Sequence, residues 1–164
     1  MNKNLEQKLA DEFEFMRPKP ENSQNGYISD LYSAFGCECG DGWFDLLRNL
    51  CIEIVQLHER NNLPVEVGLI QIKEKYGSLR FYAGIEHQQL SDEFYAIIGK
   101  YGDISEKTCE HCGVEGKMRI LHCWLRVRCN NCWQQVLKNY GYELPRDLEY
   151  NLHNKAEVKD VTVE

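Results

Sequence analysis

The sequence predicts an α+β protein: helices packed on a β-hairpin or small antiparallel sheet, with a treble-clef-like zinc finger at the C-terminal end. Three observations carry that prediction. Apolar residues recur at helical spacing on both sides of a short period-two segment, that segment is split by a Tyr-Gly pair, and two Cys-x-x-C pairs follow it. With 164 residues, 43% of them hydrophobic, the chain is long enough for one cored domain and a small appended module.

The elements follow in chain order. Leu5, Leu9, Phe13 and Met16 share one helical face, which predicts an amphipathic helix over about residues 3 to 16 that stops before Pro18. RPKPENSQNGYISD, residues 17 to 30, reads as a loop. The glycines of GDGW, residues 40 to 43, allow a tight turn into a second helix, with Asp41 as its cap and Trp43 as a core residue. Positions 43, 44, 46, 47, 50, 51, 54 and 57 form the wide apolar stripe of that helix, which is expected to end near Asn61 and Asn62.

After Pro64 the period changes to two, and VEVGLIQIKEK, Tyr76-Gly77 and SLRFYAGI read as a β-hairpin. An even turn places Glu74 opposite Leu79, Ile72 opposite Phe81 and Ile70 opposite Ala83, making one apolar face. Gln71, Lys73, Lys75, Ser78, Arg80 and Tyr82 then fall on the other face, with Lys73 directly opposite Arg80. A third helix is expected from Ser91, its N-cap, with Phe94, Ile97, Ile98, Tyr101 and Ile104 on one side. The resulting divisions are an N-terminal helix and loop (1–36), an α+β core with the hairpin (37–108), the finger (109–141) and a polar tail (142–164).

Cys109, Cys112, Cys129 and Cys132 form two Cys-x-x-C pairs separated by 16 residues, a spacing suited to a four-thiolate zinc site. KMRI and WLRVR form the hairpin between them, and WQQVLKNYG forms a short helix stopped by Gly141. Because the second pair opens a helix, the arrangement is a treble clef rather than an all-β ribbon. Four thiolates saturate the ion and leave no position for a reactive water, so the zinc is expected to be structural. His111 and His122 are assigned to the surface or to the surroundings of the site. Cys37, Cys39, Cys51 and Cys123 remain; Cys37 and Cys39 could serve a second metal, although free cysteine commonly behaves as a small buried hydrophobe.

The formal net charge of −7 repels nucleic-acid backbones at long range. No apolar run approaches the roughly 20 residues of a membrane span, and the N-terminus lacks the apolar stretch of a signal peptide, so a cytoplasmic location is expected. Against the overall acidity, Lys73, Lys75, Tyr76, Arg80 and Tyr82 make a local basic, aromatic face and the candidate contact set for a ligand or partner. The competing reading is an internal salt-bridge network in which Asp41, Asp45, Glu53 or Glu59 answers Lys73 and Arg80.

ECGDGWFDLL, KEKYGSLRFY and TCEHCG with a second metal pair resemble a group of small proteins encoded by phages and prophages, over about residues 37 to 133. The resemblance implies an accessory phage protein working in the host cytoplasm and brings no established activity. In that group the second pair commonly reads cysteine then histidine, whereas Cys129 and Cys132 are both cysteine here, an exchange that zinc binding survives.

Enzymatic chemistry is not favoured. The zinc-deaminase arrangement, a ligand two residues before a glutamate followed by a Pro-Cys pair, is not met because no proline precedes a cysteine, and a phosphate-cradling loop and a nucleophile elbow are absent too. A treble-clef nuclease would draw on LHNK, residues 152 to 155, but 16 residues between the pairs are too few for its usual catalytic segment. A nucleic-acid-binding regulator would use Lys117, Arg119, Arg126 and Arg128 with Trp124. The features agree best with a non-catalytic binding protein, a counter-defence inhibitor that occupies a host protein or sequesters a small nucleotide signal.

Overall fold

The computed structural model describes residues 1–19 and 30–142. Helix α1 (Lys3–Glu12) is capped by Asn2, whose side chain accepts from the Leu5 amide at 3.1 Å. It ends earlier than its periodicity predicts. Phe13 turns extended, and a 3-10 turn over Glu14–Met16 carries Met16 into the core beside Phe13. Of the expected loop, residues 20 to 29 lie outside the described residues.

Two short elements then appear that the sequence reading did not contain: helix α2 (Leu31–Phe35) and strand β1 (Cys37–Glu38). Asp30 caps α2, and Gly36 closes it at φ 70°. Asp41–Trp43 forms a single 3-10 turn that leads into α3 (Phe44–Arg60). Asp41 does not cap α3 as expected. Its carboxylate instead accepts from the backbone and side-chain amides of Asn2, both at 2.7 Å. Asn62, at φ 54°, takes the left-handed conformation just past the helix end, as its position predicts.

Strands β2 (Val67–Lys75) and β3 (Ser78–Ile85) form the expected hairpin, and β1 adds in parallel to β2, giving the order β1-β2-β3. Tyr76 and Gly77 both have positive φ, at 56° and 77°, the mirror-image turn that matches strand twist. Glu74 faces Leu79, Lys73 faces Arg80 and Ile72 faces Phe81, as read from the sequence. The register then shifts at Ile70. Leu69, not Ile70, pairs with Ala83, so Leu69 reaches the core and Ile70 is left 51% exposed in a bulge.

Helix α4 (Ser91–Ser105) lies along β3 and α3. Leu90 rather than Ser91 is its N-cap, with no side-chain cap bond, and Ile104 points to solvent instead of the core. Gly102 faces β3, where an added Cβ would make only ordinary van der Waals contact with the Leu79 carbonyl at 3.7 Å. The Ser105 hydroxyl accepts from the Leu79 amide at 2.8 Å, satisfying a donor on the outer edge of the sheet. One apolar cluster joins Leu9, Phe13, Met16 and Tyr32 to Trp43, Leu47, Leu50 and Ile54 of the α3 region, to the inner face of β2–β3, and to Phe94 and Tyr101.

The C-terminal part consists of β4 (Lys117–Leu121) and β5 (Trp124–Arg128), paired antiparallel, and α5 (Asn130–Asn139). Gly141, at φ 78°, follows the end of α5 as predicted. No described helix is long and apolar enough to cross a membrane.

Candidate metal centre

The chain leaves α4 through turns at Lys107 and Thr108 and reaches Cys109, which is fully buried. The Cys109 amide donates to the Val114 carbonyl at 2.7 Å, and the Gly113 amide donates to the Cys109 carbonyl at 2.8 Å. These bonds fold Cys109-Glu110-His111-Cys112-Gly113 into a tight knuckle, with Gly113 at φ 80° where a side chain would be strained. The second pair is held by a helix start. Cys129 is the N-cap of α5 and its sulfur accepts from the Cys132 amide at 3.4 Å.

Knuckle, hairpin and helix bring the four sulfurs within 4.8 Å of one another. Cys112 Sγ and Cys129 Sγ are 3.7 Å apart. A tetrahedron with metal–sulfur arms of about 2.3 Å has edges of about 3.8 Å, so the spacing fits a tetrahedral thiolate site. The electrostatics point the same way. Burial pushes the Cys109 thiol up, but the amides of Cys129, Cys112 and His111 outweigh it and bring Cys109 down to about 7. Burial, followed by the neighbouring thiols of Cys112 and Cys129, pushes Cys132 upward, and Cys112 is also raised. One thiolate is therefore favoured and each further one resisted, unless a cation shares them.

The sequence reading missed how this site is fixed to the core. The GDGW loop lies against the knuckle: the Gly42 amide donates to the Glu110 carbonyl at 2.9 Å, and a Cβ at Gly42 would fall 2.4 Å from the Cys109 carbonyl oxygen and the Gly113 nitrogen. The indole N–H of the fully buried Trp43 donates to the Thr108 carbonyl at 2.9 Å. Glu110, only 4% exposed, accepts from the Gly40 amide at 3.0 Å and from Arg128 at 2.9 Å, with Arg126 at 3.6 Å. Glycines spaced for close backbone approach were the available signal, but they did not name the segment approached.

Three of the four basic residues assigned to nucleic acid are thus engaged internally. Arg126 and Arg128 face Glu110, while Arg119 donates to Asn130 and lies 5.9 Å from the Trp133 ring. His111 and His122 stand outside the sulfur cluster, and His122 accepts or donates a 3.2 Å hydrogen bond with the Tyr142 hydroxyl. Cys37, Cys39 and Cys51 are buried in the core, and burial raises all three thiols, Cys37 to about 12. No second cluster of metal-ligating groups forms among the described residues.

The basic face lies on the outer side of β2–β3. Lys73 Nζ sits 5.7 Å from the Tyr82 ring centre and Lys75 Nζ 5.4 Å from that of Tyr76. Arg80 reaches the Ser78 hydroxyl at 3.3 Å, but Ser78 is only 2% exposed and does not belong to the open face as expected. None of Asp41, Asp45, Glu53 or Glu59 pairs with these cations. Glu53 is held by Lys100 at 2.6 Å and Tyr101 at 2.7 Å. The nearest acid in register is Glu38, beside Lys73 on β1, and its carboxylate accepts from Gln71 instead. Lys73, Lys75 and Arg80 make no ion pair among the described residues.

No family model, curated protein or solved structure matches this chain.

Proposed function

We propose that this chain is a non-catalytic binding protein, in which a structural zinc on Cys109, Cys112, Cys129 and Cys132 holds the C-terminal hairpin and Lys73, Lys75, Tyr76, Arg80 and Tyr82 contact an anionic partner. Zinc suits the site because four thiolates at tetrahedral spacing favour a soft ion without redox chemistry. The observation that carries the binding role is that three cations share one face of an acidic chain with no ion pair among the described residues. Like charges opposed across strands, as at Lys73 and Arg80, repel until an anion lies over them.

The resemblance to phage-encoded proteins gives the setting: an accessory protein in the host cytoplasm, a counter-defence inhibitor that occupies a host protein or sequesters a nucleotide signal. The nucleic-acid reading is weakened because Arg119, Arg126 and Arg128 have internal partners. The nuclease reading rests on residues 152 to 155, which lie outside the described residues.

Native mass spectrometry of protein isolated gently from host cells tests this function, comparing wild type with Arg80→Ala. A bound protein or nucleotide that disappears in the variant, at unchanged Tm, is the expected result. Substrate turnover abolished by a single substitution would overturn the non-catalytic reading.

A further inference from the structure

The hairpin between the two cysteine pairs has one face only half covered. Register places Met118 opposite Val127 and Ile120 opposite Leu125, so these four side chains share a face. At its base the Tyr76-Gly77 turn is seated on it. A Cβ at Gly77 would lie 2.5 Å from Met118 Cε and Sδ and 3.5 Å from Val127 Cγ2, and Val127 is fully buried. Beyond that contact the cover ends. Met118 is 38% exposed, Ile120 is 63% exposed and Leu125 is half-buried. An apolar step therefore begins where the tip of the basic hairpin stops.

We propose that the two hairpins form one composite docking surface for an acidic protein segment bearing an aliphatic or aromatic anchor residue. The anchor packs on Met118, Ile120 and Leu125, and the acids face Lys73, Lys75 and Arg80. This inference rests on the reading above that the basic face is the binding surface, and it names the class of partner. Charge complementarity selects the occupant. A second copy docked through the same patch would lay cations against cations. Nucleic acid supplies phosphates and stacking bases, but beyond the single methyl of thymine it offers no aliphatic side group to fill a face built from Met, Ile and Leu.

The test is selection of a random peptide library on the zinc-loaded protein, followed by affinity measurements on Ile120→Asp and Arg80→Ala. Ile120 is exposed, so its substitution should leave Tm unchanged, which is checked first. The expected result is enrichment of acidic peptides with one large apolar residue, with affinity falling about tenfold or more in each variant. Acidic peptides without an anchor, insensitive to Ile120→Asp, would overturn the docking surface and leave the basic-face reading standing. Peptides without acidic bias and insensitive to Arg80→Ala would remove both. No enrichment, with binding only to a mixed-sequence oligonucleotide or to a second copy, also overturns the proposal.

Discussion

Among the described residues two hairpins are closed in the same way and supported differently. In β2–β3 the turn residues Tyr76 and Gly77 have φ of 56° and 77°; in β4–β5 His122 and Cys123 have 48° and 65°. The first hairpin puts Leu69, Ile72, Leu79, Phe81 and Ala83 into the main core, beside α4 and in one apolar cluster with residues of α3. The second has Val127 as its fully buried apolar side chain, and its other ties include the Tyr76-Gly77 turn against Met118, the Glu110 amide donating to the Val127 carbonyl, Arg119, Arg126 and Arg128, with the four cysteines flanking it. A strand pair that buries little apolar area is marginal alone. Core burial therefore sustains the first hairpin, while the second depends on a few polar anchors and on a cysteine cluster that could hold a metal.

Withdrawing the metal should break that comparison most sharply. Structural zinc in small modules contributes on the order of 10 kcal/mol, more than a hairpin of this kind can replace. Chelation, or Cys132→Ser, should abolish hydrogen-exchange protection over residues 117 to 128 while residues 69 to 83 keep theirs. Equal protection before and after would mean that the second hairpin is self-supporting.

Gly42→Ala attacks the joint between the two regions. Its Cβ would meet the Cys109 carbonyl and the Gly113 nitrogen at 2.4 Å, and both are backbone atoms with little room to move. Overpacking of this kind costs about 1–3 kcal/mol, so Tm and metal affinity should fall together. A Tm loss with unchanged metal affinity would show the joint and the site to be independent.

Cys123→Gly should have the opposite sign. It gives the second turn the residue type that the first already uses at a left-handed position, and relief of about 1 kcal/mol should raise Tm by several degrees. An unchanged or lower Tm would argue that the exposed cysteine is not strained there. The smallest expected effect lies in the core-supported half. Lys100 first, then Tyr101, hold the Glu53 carboxyl below its ordinary range. Its contribution is therefore present above the unfolded carboxyl pKa and is lost as pH falls through the folded one. As a partly exposed pair it is worth about 0.5 kcal/mol, so Glu53→Gln should slightly flatten the acid limb of a stability–pH curve.

What could be read from the sequence divides along the same line. The first hairpin's turn and its pairing from Glu74 to Ile72 followed from local alternation, and the grouping of the four cysteines followed from their spacing. The bulge did not, because Ile70 and Leu69 are equally apolar and only the packed core decides which one turns inward. Helix α2 and strand β1 are too short to show a period. The contact of Gly40 and Gly42 with Glu110 and Cys109 joins segments about seventy residues apart, and nothing local in either segment names the other. The same holds for Arg126 and Arg128, whose basic appearance in sequence conceals a buried carboxylate between them.

Native mass spectrometry of the purified chain, with Cys132→Ser beside it, tests most directly whether one metal holds the second hairpin on the core. A single zinc retained per wild-type chain, and lost in the variant, is the predicted result. A wild-type chain that carries no metal and still protects residues 117 to 128 from exchange would contradict it.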